Sequence, residues 1–133
     1  WEFRHDEIGY NYRMPNINAA LGCAQMEHLE EFVLNKRHTA ELYQDFFAQF
    51  EDIRFVTEPI DSRSNYWLQA VQLKNREIQQ AFLEYTNSNG VMTRPIWELM
   101  NRLPMFAYCQ TDELINTKYF ADTIVNIPSG VII

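Results

Sequence analysis

The octapeptide YWLQAVQL, residues Tyr66 to Leu73, decides how the rest of the chain is read. It contains no glycine, proline or charge, and both of its alternating faces are largely apolar. A strand apolar on both faces belongs in the middle of a sheet. Just downstream, Asn75 offers N-cap chemistry for a helix running to about Asn87, with Ile78, Phe82 and Tyr85 inward. Asn89-Gly90 is helix-stop chemistry. Val91–Arg94 reads as another strand, cut off by Pro95.

Working outward, a short helix is expected around Trp97–Arg102, then a loop through Pro104. Thr111–Thr123 reads as a helix with Asp112 and Glu113 in its first turn, where carboxylates complement the helix dipole. Val125–Ile127 is a last strand, ended by Pro128. Upstream, a short strand near Ile53–Thr57 leads into a turn at Glu58–Ser64, which holds Pro59, Asp61 and Ser62. From Ile17 to Phe50 there is no proline and only Gly22, so this stretch reads as helix. One straight helix of that length would span about 50 Å, so a bend is expected near Glu31–Lys36. Its second half sets Thr39, Leu42, Tyr43, Phe46, Phe47 and Phe50 on one buried face. Its first half, from Ile17 through Gly22 to Met26, is apolar nearly all round and should be buried on every side. One surface of it should pack against something outside this chain.

These elements predict an α+β fold, a small and mostly antiparallel sheet with packed helices. The expected organisation is one domain over residues 1–133. It comprises a lead-in loop over 1–14, a long helical region over 15–50 and an α+β sandwich over 51–133. With 133 residues, 47% hydrophobic and 14% aromatic, the chain can bury a core. Eighteen acidic against 11 basic side chains give a formal charge of -7, which argues against nucleic-acid binding. No apolar run reaches the roughly 18 residues of a membrane span. Two cysteines, Cys23 and Cys109, are too few for a disulfide scaffold. The start at Trp1 without an initiator Met, and the apolar stop at Val131-Ile132-Ile133, read as a piece of a longer protein.

Common catalytic signatures are missing: no G-x-G-x-x-G, P-loop, G-x-S-x-G, H-E-x-x-H or C-x-x-C. His5, His28 and His38 lack ligand spacing and read as solvated, so no metal is expected. Glu27, Glu30 and Glu31 read as a solvated acidic face, and Cys23, amid apolar residues, as buried packing. Cys109 has no activating base nearby in sequence.

One stretch stands out. Gly9-Tyr10-Asn11-Tyr12-Arg13-Met14-Pro15 runs directly into Asn18-Ala19-Ala20-Leu21-Gly22-Cys23-Ala24-Gln25. This pattern, G-x-N-Y-R-M-P-x-x-x-A-A-L-G-x-x-Q, resembles the opening of the C-terminal part of the DegT/DnrJ/StrS family. These are fold-type I nucleotide-sugar aminotransferases that depend on pyridoxal phosphate, and they include perosamine, bacillosamine and legionaminic acid pathway enzymes. The likeness continues at Ser64-Asn65-Tyr66-Trp67, at Asn89-Gly90-Val91-Met92-Thr93-Arg94-Pro95, and from Ala121-Asp122 through Ile127-Pro128-Ser129. It covers nearly the whole chain in order.

The resemblance implies the small C-terminal domain of such an enzyme. The parent would move an amino group from an amino acid, glutamate by expectation, to a 4-keto-6-deoxy nucleotide sugar. It would work as a cytoplasmic homodimer. The family's Schiff-base lysine belongs to the large N-terminal domain, and Lys36, Lys74 and Lys118 do not match it, so the chain alone should be inactive. Asn11 and Arg13 match family positions near the cofactor phosphate of the neighbouring subunit. Gly9 lets the backbone turn toward that phosphate, which wants amide donors and a forked cation. The competing reading has Asn11 capping a turn and Arg13 pairing with an acid such as Glu7. The Thr93–Trp97 stretch aligns with a segment where relatives often place a Tyr and a His near the sugar nucleotide, and this sequence has Arg94-Pro95-Ile96-Trp97 there instead. Arg94 could hold a carboxylate or diphosphate, and Trp97 could stack on a ring; a surface Arg and a core Trp compete with that. A non-enzymatic α+β interaction or dimerisation module is the alternative for the whole chain.

Overall fold

The computed structural model describes residues 7–132, so the readings made for residues 1–6, His5 included, and for Ile133 lie outside the described residues. The chain divides into two compact units, one ending at Glu31 and the other starting at Phe32.

In the first unit, an irregular stretch leads to helix α1 (Asn16–Glu27). Pro15 is extended, and its carbonyl accepts from Ala19 N at 3.0 Å. The helix stops at His28, whose N–H bonds back to Gln25 O at 3.2 Å. None of α1 is buried by this chain: the covering expected on every side, part of it from outside the chain, is not supplied within it. Ile17, Leu21 and Met26 are exposed, and Cys23 is exposed rather than packed. A lone helix has no second layer in its own unit to bury against. Helix α2 (Leu29–Phe47) begins at once, so the break falls at His28, upstream of the expected Glu31–Lys36. Glu30 and Glu31 occupy the first turn of α2, where the helix dipole favours carboxylates.

The second unit is built on a four-stranded antiparallel sheet in the order β1 (Ile53–Phe55), β2 (Gln69–Leu73), β4 (Ile124–Ile127), β3 (Arg94–Pro95). β2 is central, as its sequence demanded, but it starts at Gln69 instead of Tyr66. Tyr66 sits at φ 47, a left-handed conformation that turns the chain before the ladder begins. Along β2, Gln69, Val71 and Leu73 are buried while Ala70 and Gln72 are half-buried. The strand expected over Val91–Arg94 shrinks to Arg94–Pro95. On that edge strand Pro95 needs no ladder donor of its own.

Helix α3 (Arg76–Ser88) is capped as expected: Asn75 Oδ1 accepts from Ile78 N at 2.9 Å. It ends in a Schellman motif, with Val91 N donating to Thr86 O at 2.9 Å, Gly90 N to Asn87 O at 3.1 Å, and Gly90 at φ 78. Its inward face is Gln79, Phe82 and Leu83; Ile78 and Tyr85, expected inward, are exposed. Gln79 Nε2 donates to Ala121 O at 3.0 Å and Ile124 O at 2.8 Å, which ties α3 to the end of helix α4 (Ile115–Thr123). α4 starts four residues later than Thr111. Leu114 is left-handed at φ 52 and its N–H bonds to Asp112 Oδ1 at 2.8 Å, so Asp112 and Glu113 precede the helix. The helix expected over Trp97–Arg102 is a single 3-10 turn at Met100–Arg102, followed by another at Pro104–Phe106.

The core joins Ala40 and Phe47 of α2 to Phe55, Tyr66, Val71, Leu73, Val125 and Ile127. Four rings stack in file, Phe47, Tyr43, Phe55 and Tyr66, with successive centroids 6.1, 6.1 and 6.2 Å apart. The Arg37 guanidinium continues the file 5.6 Å from the Tyr66 centroid. On α2 the covered stripe is Thr39, Ala40 and Phe47 with Tyr43 packed against it, while Leu42 and Phe46, and Phe50 just past the helix end, stay exposed. Four short strands cover a narrower stripe of the helix than its apolar pattern offers.

Candidate functional site

A groove of about 650 Å³ opens where β2 and β4 part, lined among others by Trp67, Arg94, Trp97, Asn126 and Ser129. Its construction starts at the C-terminus of α3. Thr93 is buried, and its hydroxyl lies 2.6 Å from that of Thr86. Asn87 Nδ2 donates to Thr93 Oγ1 at 3.0 Å and to Thr93 O at 3.1 Å. With Thr93 fixed inward, strand alternation sends the next side chain, Arg94, outward. Arg94 pairs with Asn126 across the β3–β4 ladder, and both line the groove. Its guanidinium contacts only Met92 Sδ, at 3.5 Å, and has no acidic partner among the described residues. Trp97 is 72% exposed, which removes the core-Trp reading.

Trp67, which the sequence placed inside a strand, is a groove wall instead. Its N–H bonds to Asn65 Oδ1 at 3.0 Å, a local turn whose signal was the asparagine just before Tyr66. The loop that delivers it is clamped from below. Arg37 grips Glu58 through two bonds, Nη2 to Oε1 at 2.8 Å and Nη1 to Oε2 at 2.9 Å, and Nη1 also reaches Ser64 O at 2.7 Å. Ser64 N donates to Glu58 Oε2 at 2.6 Å, and Glu58 N to Tyr66 Oη at 3.1 Å. The Arg37 bonds, helped by the Ser64 N–H, lower the Glu58 carboxyl to about 2, and the same pairing raises Arg37. This clamp escaped sequence reasoning because its two charges lie 21 residues apart with no shared motif.

In the first unit, Asn11 and Arg13 are brought together. Asn11 Oδ1 accepts from Arg13 N at 3.0 Å and from Arg13 Nε at 3.3 Å. The turn-capping reading of Asn11 is therefore realised, and Arg13 pairs with Asn11 rather than with Glu7. Both residues are exposed. The Asn11 amide nitrogen and the terminal nitrogens of Arg13 carry no hydrogen bond among the described residues, so the turn presents spare donors of the kind a phosphate accepts.

Chemically, the groove offers a cation without an acid partner and two indole faces, a set that suits an anionic ligand carrying a ring. A match to the DegT/DnrJ/EryC1/StrS aminotransferase family runs over residues 1–132. The chain belongs to this family. A GDP-perosamine synthase of Escherichia coli is 30% identical over 106 residues, spanning 80% of this chain and 29% of that protein. Among solved structures, the aminotransferase TlmJ from Streptoalloteichus hindustanus superposes with a TM-score of 0.83 at 22% identity, over 96% of this chain and 34% of that one. An Escherichia coli GDP-4-keto-6-deoxy-D-mannose-3-dehydratase with bound hydrated pyridoxal phosphate superposes with a TM-score of 0.77 at 21% identity, over 98% and 35%. This family member thus spans about a third of the length of the proteins it matches. The likeness to TlmJ and to the dehydratase gives the α+β fold; one scaffold carrying both names leaves the reaction to be argued from the site.

Among the described residues, no three His, Cys, Asp or Glu side chains gather as a metal site, and no helix is long and apolar enough to cross a membrane.

Proposed function

We propose that this family member is the C-terminal part of a pyridoxal-phosphate-dependent aminotransferase that moves an amino group from glutamate to a 4-keto-6-deoxy nucleotide sugar. The observation that carries the reading is the groove. Arg94 and Trp97, picked out as ligand contacts by their place in the sequence, line one cavity together with Trp67. A nucleotide sugar supplies the matching chemistry, since its diphosphate suits a guanidinium and its base suits an indole face.

Asn11 and Arg13 would hold the cofactor phosphate of a neighbouring subunit. They fit the role because their turn is exposed and leaves amide and guanidinium donors uncommitted. The bound cofactor would supply the electron sink that amino transfer needs. What the chain contributes is binding and orientation, with the covalently attaching lysine expected on a large N-terminal domain. The uncovered apolar faces of α1 support packing against that domain or against the second subunit of a cytoplasmic homodimer.

The reading is tested by kinetics of the intact protein. Arg94→Ala and Trp97→Ala should each raise KM for the nucleotide sugar several-fold and leave KM for glutamate unchanged. Equal effects on both substrates, or none on either, would remove the groove from the substrate site.

A further inference from the structure

The geometry points to Lys36 as a positioning residue that sets the width of the groove by clasping the main chain of its two walls. The observation begins with strand register. In the β2–β4 ladder Gln69 stands opposite Ile127, and no pair is formed beyond it. Two residues beyond each of these come Trp67 and Ser129, which antiparallel register would make the next pair on the same face. They are not laddered. Instead the Lys36 ammonium donates to Trp67 O at 3.3 Å and to Ser129 O. Trp67 and Ser129 are themselves groove-lining residues, one from each wall. A single side chain therefore replaces the ladder where the two strands part.

The clasp is anchored at its own end. Lys36 lies on α2, and Gln69, fully buried, donates its Nε2 to Lys36 O at 3.0 Å, so β2 and the lysine's backbone are tied directly. The outgoing segment is held to the same helix by Asn35, whose amide donates to Ile132 O at 2.8 Å and accepts from Ile132 N at 3.0 Å. Tyr43 Oη donates to Pro128 O at 3.0 Å. Of these contacts only the Lys36 ammonium reaches both walls. Among the described residues it has no carboxylate partner: its acceptors are two carbonyls. Bonds with an ionised donor are stronger than neutral ones of like geometry, and this ammonium is the one contact named that joins Trp67 to Ser129, so their spacing depends on it. The substrate consequence rests on the groove being the nucleotide-sugar site, as proposed above; the clasp itself does not.

The test uses the intact protein with Lys36→Met, which keeps the stem and removes the donors, and Lys36→Arg, which keeps a cation with several donors. Amide hydrogen exchange is followed in residues 66–69 and 128–131, with α3 as the internal reference. Lys36→Met should speed exchange in both segments and leave α3 unchanged. It should raise KM for the nucleotide sugar about tenfold, equivalent to about 1.4 kcal/mol, with KM for the amino donor unchanged, and Lys36→Arg should recover most of both effects. Unchanged exchange in the two segments, or faster exchange spread evenly through α3 as well, overturns the clasp. Trp97→Ala is run alongside. If neither it nor Lys36→Met alters KM for the nucleotide sugar while exchange responds as expected, the substrate reading of the groove fails and the clasp stands. If Trp97→Ala raises KM and Lys36→Met does not, Lys36 has no positioning role in binding.

Discussion

Replacing Asn11 by Asp separates the two roles that its structure leaves open. The Asn11 side chain accepts from Arg13 N at 3.0 Å and from Arg13 Nε at 3.3 Å through Oδ1 alone. An aspartate carries the same oxygen, so the turn survives and its bond to the guanidinium gains charge assistance. What Asn11→Asp removes is the amide N–H₂, and what it adds is a negative charge. A hydrogen bond to a charged group contributes about 1.5–3 kcal/mol net. Its loss alone therefore costs about ten- to a hundredfold in affinity, and repulsion between carboxylate and phosphate adds to that. The assay is titration of pyridoxal phosphate into the intact wild-type and mutant proteins, with thermal melts of both in the absence of cofactor. We expect weakened cofactor binding with unchanged melting. Cofactor affinity equal to wild type would refute the phosphate role and leave Asn11 as a turn residue only. Asn11→Ala is the comparison: it removes both the donor and the acceptor, so it should lower cofactor affinity and also loosen the turn.

Other expectations follow from the fold. Val71 is fully buried at the centre of β2, so Val71→Ala should cost about 2–3 kcal/mol in denaturant unfolding through lost burial and a residual cavity. Asn75→Ala removes the cap on Ile78 N and should cost about 1 kcal/mol, with Asn75→Asp recovering most of it. Glu58 titrates near 2 in the fold against an ordinary value near 4.5, because Arg37 and the Ser64 N–H hold its charged form. A depressed carboxylate stabilises the fold above its unfolded pKa, and that stability is lost as pH falls toward the folded value. Wild-type melting should therefore drop between about pH 4.5 and pH 2, and Glu58→Gln should melt lower at neutral pH with a flatter dependence across this window.

Much of the architecture was legible because its signals are local. The cap at Asn75, the stop at Asn89-Gly90, the central position of β2 and the end of β4 at Pro128 each rest on a few adjacent residues. The starts of β2 and α4 were misplaced for a shared reason. Tyr66 and Leu114 adopt left-handed backbone, which their residue types give no cause to expect, and each delays the element that follows. The break at His28 lacks proline and glycine; its one signal was the acidic pair Glu30 and Glu31, which marks the first turn of α2. Burial is narrower than the apolar pattern where the chain's own sheet cannot cover it, as at Leu42, Phe46 and Phe50. For the site, sequence likeness picked out Asn11, Arg13, Arg94 and Trp97. It could not supply Trp67 as a wall, the Arg37–Glu58 clamp or the Lys36 clasp, because those depend on contacts spanning 21 to 93 residues.

Amino transfer to a nucleotide sugar can be read from the fate of an isotope. The intact protein is incubated with pyridoxal phosphate, a 4-keto-6-deoxy nucleotide sugar and glutamate labelled at its amino nitrogen, and the sugar is analysed by mass spectrometry. A labelled amino sugar is expected from wild type, formed with raised KM for the sugar when Arg94 or Trp97 is replaced by alanine. A sugar that loses water and gains no label, or one that returns unchanged from a protein loaded with cofactor, would contradict it.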